Sequence, residues 1–141
     1  DGTEVPAKLL LKDVDLELAY VLPIKERKDE YKEVIFSKVP SQAKQKADPL
    51  ILDEVVSIGK LRQTLYRQST LQRGWVNAVI QKPRKYFVIE NTSPGTPVFD
   101  QRGKWLGVVV YKMVGGRPSE IVTLPASDVL EIAQQVRTRT Q

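Results

Sequence analysis

The chain has 141 residues, 41% hydrophobic and 28% charged, enough for one folded domain or a small barrel plus part of another. With Cys 0 and His 0, it excludes a disulfide, a cysteine nucleophile, an imidazole-based zinc site and a self-contained Ser-His-Asp triad. Formal net charge is +5, and no apolar run approaches the ~20 residues that a membrane-spanning helix needs.

Asp1-Gly2-Thr3-Glu4 is polar and acidic and does not read as a secretory leader. Residues 3–11 alternate and predict a strand, with Pro6 marking an edge or a bulge. Asp13-Val14-Asp15 reads as a turn. Residues 16–22 form a strongly apolar strand that holds Glu17 and ends at Pro23. Residues 25–30 are a charged turn, and 31–37 alternate again as a strand. Residues 38–49 carry Pro40, Pro49 and the charges of Lys38, Lys44, Lys46 and Asp48, with few apolar side chains. This is the expected linker and subdomain boundary.

Short strands are predicted beyond it at 54–58, 64–71, 74–80, 86–89, 98–100, 105–113 and 120–124. Gly59, Gly74, Pro83, Pro94-Gly95, Gly103 and Gly115-Gly116 punctuate them. Short strands with Gly and Pro turns and little helical periodicity predict an all-β barrel or sandwich. One helix follows. Ser127 is its expected cap, Asp128 and Glu131 lie in its first turn, and Val129, Leu130, Ala133 and Val136 supply its apolar side.

The positive charge is uneven. Lys60, Arg62, Arg67, Arg73, Lys82, Arg84 and Lys85 fall in a stretch with no acid between Glu54 and Glu90. Such a strip reads either as solvated loop tips or as a surface for phosphate or an acidic protein. No stacking set of aromatics is interleaved with it, so nucleic acid is not the expected partner.

Three segments, in order, resemble trypsin-like serine peptidases, in particular the HtrA-type branch. The first is Asp1-Gly2-Thr3-Glu4-Val5-Pro6-Ala7-Lys8 followed by Glu17-Leu18-Ala19-Tyr20-Val21-Leu22. It is similar to the family's stretch carrying the catalytic aspartate. The second is Asp53-Glu54-Val55-Val56-Ser57-Ile58-Gly59 with Gly74-Trp75-Val76-Asn77-Ala78-Val79, which looks like the start of the C-terminal barrel. The third is Thr92-Ser93-Pro94-Gly95-Thr96-Pro97-Val98-Phe99-Asp100, then Gly103-Lys104-Trp105-Leu106-Gly107-Val108-Val109. It is similar to the nucleophile loop and the strand after it.

The resemblance implies a six-stranded C-terminal barrel over 50–125. Residues 1–37 would be strands of an incomplete N-terminal barrel, 38–49 the linker, and 126–141 the C-terminal helix and tail. It places Glu17 on the catalytic aspartate, with Asp15 nearby as a second candidate that aligns worse, and Pro94 on the nucleophile, with Gly95 and Thr96 on two glycines and Thr92 on an earlier one. Proline has no hydroxyl to attack a carbonyl. It also has no N–H, and the nucleophile's own N–H is one of two oxyanion donors in this family. Ser93 is the fallback nucleophile after a one-residue slip, but the chain contributes no histidine. On their own residues, Glu17 reads equally as an outward side chain and Ser93-Pro94-Gly95-Thr96-Pro97 as a simple turn.

What the resemblance leaves after chemistry is a peptide-binding strand at Val110, Tyr111 and Lys112, with Val88 at the start of a pocket wall. The expected function is therefore a non-catalytic trypsin-like module that binds a protein or an extended peptide by β-augmentation. The alternative is the C-terminal portion of a serine endopeptidase whose histidine half lies elsewhere. A third reading is a basic module for nucleic acid or acidic surfaces. An upstream segment or a second chain is expected to complete the N-terminal barrel. No cofactor or metal is expected, and the resemblance implies a periplasmic or extracellular setting.

Overall fold

Val55 and Ser57 are buried between half-exposed Glu54 and Val56 and exposed Ile58, and Phe87 and Ile89 pack in a different cluster from their neighbour Tyr86, the period-two signature of a sheet with two different faces. In the computed structural model, which describes residues 6–24 and 48–140, that pattern closes into a barrel. Its strands are β3 (Glu54–Lys60), β4 (Ser69–Ile80), β5 (Tyr86–Ile89), β6 (Pro97–Asp100), β7 (Trp105–Val114) and β8 (Arg117–Pro125). They run antiparallel in the order β3-β4-β5-β8-β7-β6 and back to β3. Before the barrel, β1 (Ala7–Asp13) and β2 (Leu18–Pro23) form a two-stranded sheet of their own. The helix α1 (Ala126–Thr140) follows β8 without a loop.

The inside is filled by Val55, Val76, Phe87, Ile89, Val98, Leu106 and Val109. A second cluster lies on the outer wall, where Tyr86, Val110, Val122 and Leu124 are covered by Leu16, with Leu18, Val129 and Ile132 packed around them. The tip of the β1–β2 hairpin and one side of α1 therefore share a seat on β5, β7 and β8. The Tyr20 hydroxyl donates to the Val129 carbonyl at 3.0 Å and ties hairpin to helix. Burial, and then the charge of Asp13, raise the Tyr20 phenol above its usual 10.0.

The sequence expectation of separate strands at 64–71 and 74–80 is corrected. Residues 63–65 form a single 3-10 turn, and β4 runs unbroken through Gly74. Gly74 is a corner, not a turn. β4 pairs with β3 as far as Trp75 opposite Glu54, and with β5 from Val76 opposite Ile89. At that exchange a Cβ on residue 74 would stand 2.2 Å from the Glu90 carbonyl oxygen. Glycine is required by close approach, and that signal resembles a turn glycine in one dimension.

Three further boundaries move. The strand expected from 16 begins at Leu18, because residues 14–17 are the hairpin turn. The Asp13 carboxylate accepts the N–H groups of Asp15 and Leu16 there, both at 3.0 Å. β8 starts at Arg117, set by a two-residue Gly115-Gly116 turn with both glycines at positive φ. Ser127 lies inside the first turn of α1, and its hydroxyl lies 3.1 Å from Asp128 Oδ1. Leu130 is exposed, and Ile132 takes its place against the barrel. The expected turn at 25–30, the strand at 31–37 and most of the 38–49 linker lie outside the described residues. Among the described residues, no helix is long and apolar enough to cross a membrane.

Candidate functional site

The loop between β5 and β6 is built by its prolines and Gly95. Ser93-Pro94-Gly95-Thr96 is a type II turn, closed by Thr96 N–H donating to the Ser93 carbonyl at 3.2 Å. Pro94 presets φ at the first corner, and Gly95 takes φ 85° at the second, where an L side chain is disfavoured. The Thr96 hydroxyl donates to the same Ser93 carbonyl at 2.6 Å, and the Thr92 hydroxyl to the Ile89 carbonyl at 3.1 Å. Gly95 donates its N–H to the Val109 carbonyl at 2.8 Å. The N–H groups of Gly95 and Thr96 are thus committed internally, and Pro94 and Pro97 have none. Ser93 is exposed at the head of the turn.

This turn stands between two strands. A Cβ on Gly59, near the end of β3, would lie 3.5 Å from the Thr96 methyl. On the other side, Val109 of β7 donates to the Thr96 carbonyl at 2.9 Å. Backbone groups alternate sides along a strand, so the N–H and C=O of Tyr111 and Met113 face the way those of Val109 do. Val110, Lys112 and Val114 face β8, opposite Val122, Glu120 and Arg117. Among the described residues, strand pairing on the β6 side of β7 stops at Val108, and the loop bonds stop at Val109. Beyond them β7 carries an open edge.

The sequence-derived site residues are distributed around this edge unequally. Tyr111 and Lys112 are half-buried on it. Val110 is 4% exposed, with its side chain under Leu16, so its role is to hold the β1–β2 hairpin. Glu17 is exposed in the hairpin turn at φ 51°. Among the described residues, no hydrogen bond or ion pair joins Glu17 to residues 92–96. Val88 pairs with Ala78 on the face of β5 that looks away from the core, and β8 separates it from β7.

The basic strip does not stay together. Lys60 ends β3, Arg62 and Arg67 belong to the β3–β4 turn, and Lys82, Arg84 and Lys85 to the β4–β5 loop. The 12 residues of β4 between them span roughly 36 Å of strand. Arg73 lies between, bonded to Glu54 at 3.1 Å and stacked 5.4 Å over the Trp75 ring. Lys85 meets Asp48 at 2.6 Å. Sequence reasoning also missed a grouping at the β3–β4 tip, where Leu61, Leu65 and Tyr66 stand exposed among these cations. The only one-dimensional signal was the lack of acids. Among the described residues, no cluster of carboxylates could hold a metal ion. No protein-family model matches the chain, and no curated protein matches it.

Proposed function

We propose that this chain is a non-catalytic domain of the trypsin-like type that holds an extended peptide or protein segment by strand addition to β7. The observation that carries the reading is the open edge at Tyr111 and Met113, immediately past the turn that closes against Val109. Strand addition needs unpaired N–H and C=O groups in register and alternating side-chain seats, and it needs no nucleophile. The adjacent turn supplies none of the usual acyl-transfer parts at position 94: no hydroxyl and no N–H. The absence of histidine removes the base most used for such chemistry near neutral pH. An upstream segment or a second chain is the proposed completion of the β1–β2 sheet, on which Leu9, Val21 and Leu22 are more than half exposed. The periplasmic or extracellular setting rests on the resemblance alone.

The alternative, a piece of a serine endopeptidase completed elsewhere, draws on the exposed Ser93 hydroxyl. A pool of unstructured decapeptides and a fluorophosphonate probe separate the two. Strand addition is expected to slow hydrogen exchange at Tyr111 and Met113 on peptide addition, with no labelling of Ser93. Rapid labelling of Ser93 would establish the peptidase reading. Unchanged exchange at both amides at saturating peptide would remove the binding reading.

A further inference from the structure

The β3–β4 tip combines exposed apolar side chains with interleaved cations. Residues 60–69 are all exposed, so the tip projects from the barrel wall. On it Leu61 is 40% exposed, Leu65 54% and Tyr66 88%. At its base, Ile58 at 43% and Leu71 at 71% face each other across the two strands. Lys60, Arg62 and Arg67 are interleaved with them, and no acid occurs from residue 55 to residue 89. Among the described residues, no carboxylate pairs with these three cations.

The backbone of the tip is closed on itself. Leu61 donates to Gln68, Leu65 to Arg62, Tyr66 to Gln63, and Gln68 to Leu65, at 2.9 to 3.2 Å. A loop that enters a bilayer's headgroup region must satisfy its own polar groups, because an unpaired N–H or C=O is costly away from water. Tyr66, at φ 53°, is the most exposed large side chain of the tip. Tyrosine favours the membrane–water interface, with its ring toward the acyl chains and its hydroxyl in the headgroups.

The geometry points to this tip as a docking element for an anionic lipid surface, with Leu65 and Tyr66 inserted and Lys60, Arg62 and Arg67 on the headgroups. Charge complementarity decides the lipid's sign. The projecting shape favours a deformable bilayer over a protein partner, which would need a matching cavity. Near an anionic surface each cation is worth about fivefold in affinity, so the three together contribute about a hundredfold. Arg73 and the Lys82–Lys85 group lie away from the tip and are not part of the element.

The test is co-sedimentation with vesicles of phosphatidylcholine alone and of phosphatidylcholine mixed with phosphatidylglycerol. The chain is expected to sediment only with the mixed vesicles and to be released by salt. Arg62→Glu with Arg67→Glu should abolish sedimentation. Leu65→Ser with Tyr66→Ser should weaken it at least tenfold. A Tyr66→Trp variant should show blue-shifted emission, relative to the parent chain, on vesicle addition. Failure to bind anionic vesicles overturns the proposal. So does binding that is indifferent to the Leu65 and Tyr66 changes. Tighter binding to duplex DNA than to vesicles, lost with the charge reversals alone, assigns the tip to nucleic acid instead.

Discussion

Replacing Leu16 with alanine separates the β1–β2 hairpin from the barrel. Leu16 is 4% exposed and is the one residue of the 6–24 segment buried this deeply. It covers Val110, Val122 and Leu124. Removing a leucine side chain from such a site costs about 2–5 kcal/mol, transfer and cavity together. Among the described residues, the partial packing of Leu18 and the Tyr20–Val129 hydrogen bond remain to hold the hairpin. The bond contributes about 1 kcal/mol. A two-stranded ribbon is marginal by itself in water. The loss therefore exceeds the remaining attachment, and the hairpin detaches before the barrel unfolds. Amide hydrogen exchange read by NMR measures this. In Leu16→Ala the amides of β1 and β2 should exchange freely, while those of Val55, Val98 and Val109 keep protection near that of the parent chain. Equal loss of protection in hairpin and barrel would refute the reasoning. It would mean that Leu16 is part of one cooperative core and not the pin of a separable element.

Gly107→Ala should destabilise the barrel by about 3 kcal/mol, the upper end for overpacking. Its Cβ would meet the Leu124 carbonyl oxygen at 2.0 Å and the carbonyl carbon at 2.9 Å. Gly103→Ala, at φ 78° with nothing within 4 Å, should cost only about 1 kcal/mol of backbone strain. With a urea slope of roughly 2 kcal/mol per M, the midpoints should fall by about 1.5 M and 0.5 M respectively. Equal shifts would refute the close-approach argument. The Tyr20 phenol is raised above 10.0 by burial and then by Asp13, so its neutral form is favoured by folding. Its contribution is complete below 10.0 and is lost as pH rises through the folded value; Tyr20→Phe should flatten that alkaline limb in urea midpoints. Tyr86, which burial also raises, should contribute to the limb that persists. Pro94→Ser should not gain fluorophosphonate labelling above the parent chain, because a hydroxyl without a base stays weakly nucleophilic. Rapid labelling at position 94 would show that a base reaches the turn.

The type II turn at residues 93–96 was readable in one dimension, because Pro-Gly specifies its two corners by their own φ preferences. The strands at 54, 86 and 105 were readable as short runs rich in β-branched and aromatic residues between Gly and Pro turn signals, which also act locally. Gly74 was not, since a glycine needed for close approach and one needed for a turn look alike until the partner strand is placed. The apolar stripe of α1 suffered similarly. Leu130 and Ile132 are interchangeable in hydrophobicity, and only the seat on β7 and β8 decides which is covered.

By itself the sequence determined what chemistry the chain lacks, since composition needs no fold to say that there is no imidazole and no thiol. It also determined the β class, because local alternation and turn residues act over a few positions. Tertiary structure alone decided which strand edge is left open, that one basic run becomes two separate clusters, and that Leu16 reaches across 94 residues to Val110. Those follow from how six strands close on one another, and closure is a relation between distant segments that no local window contains.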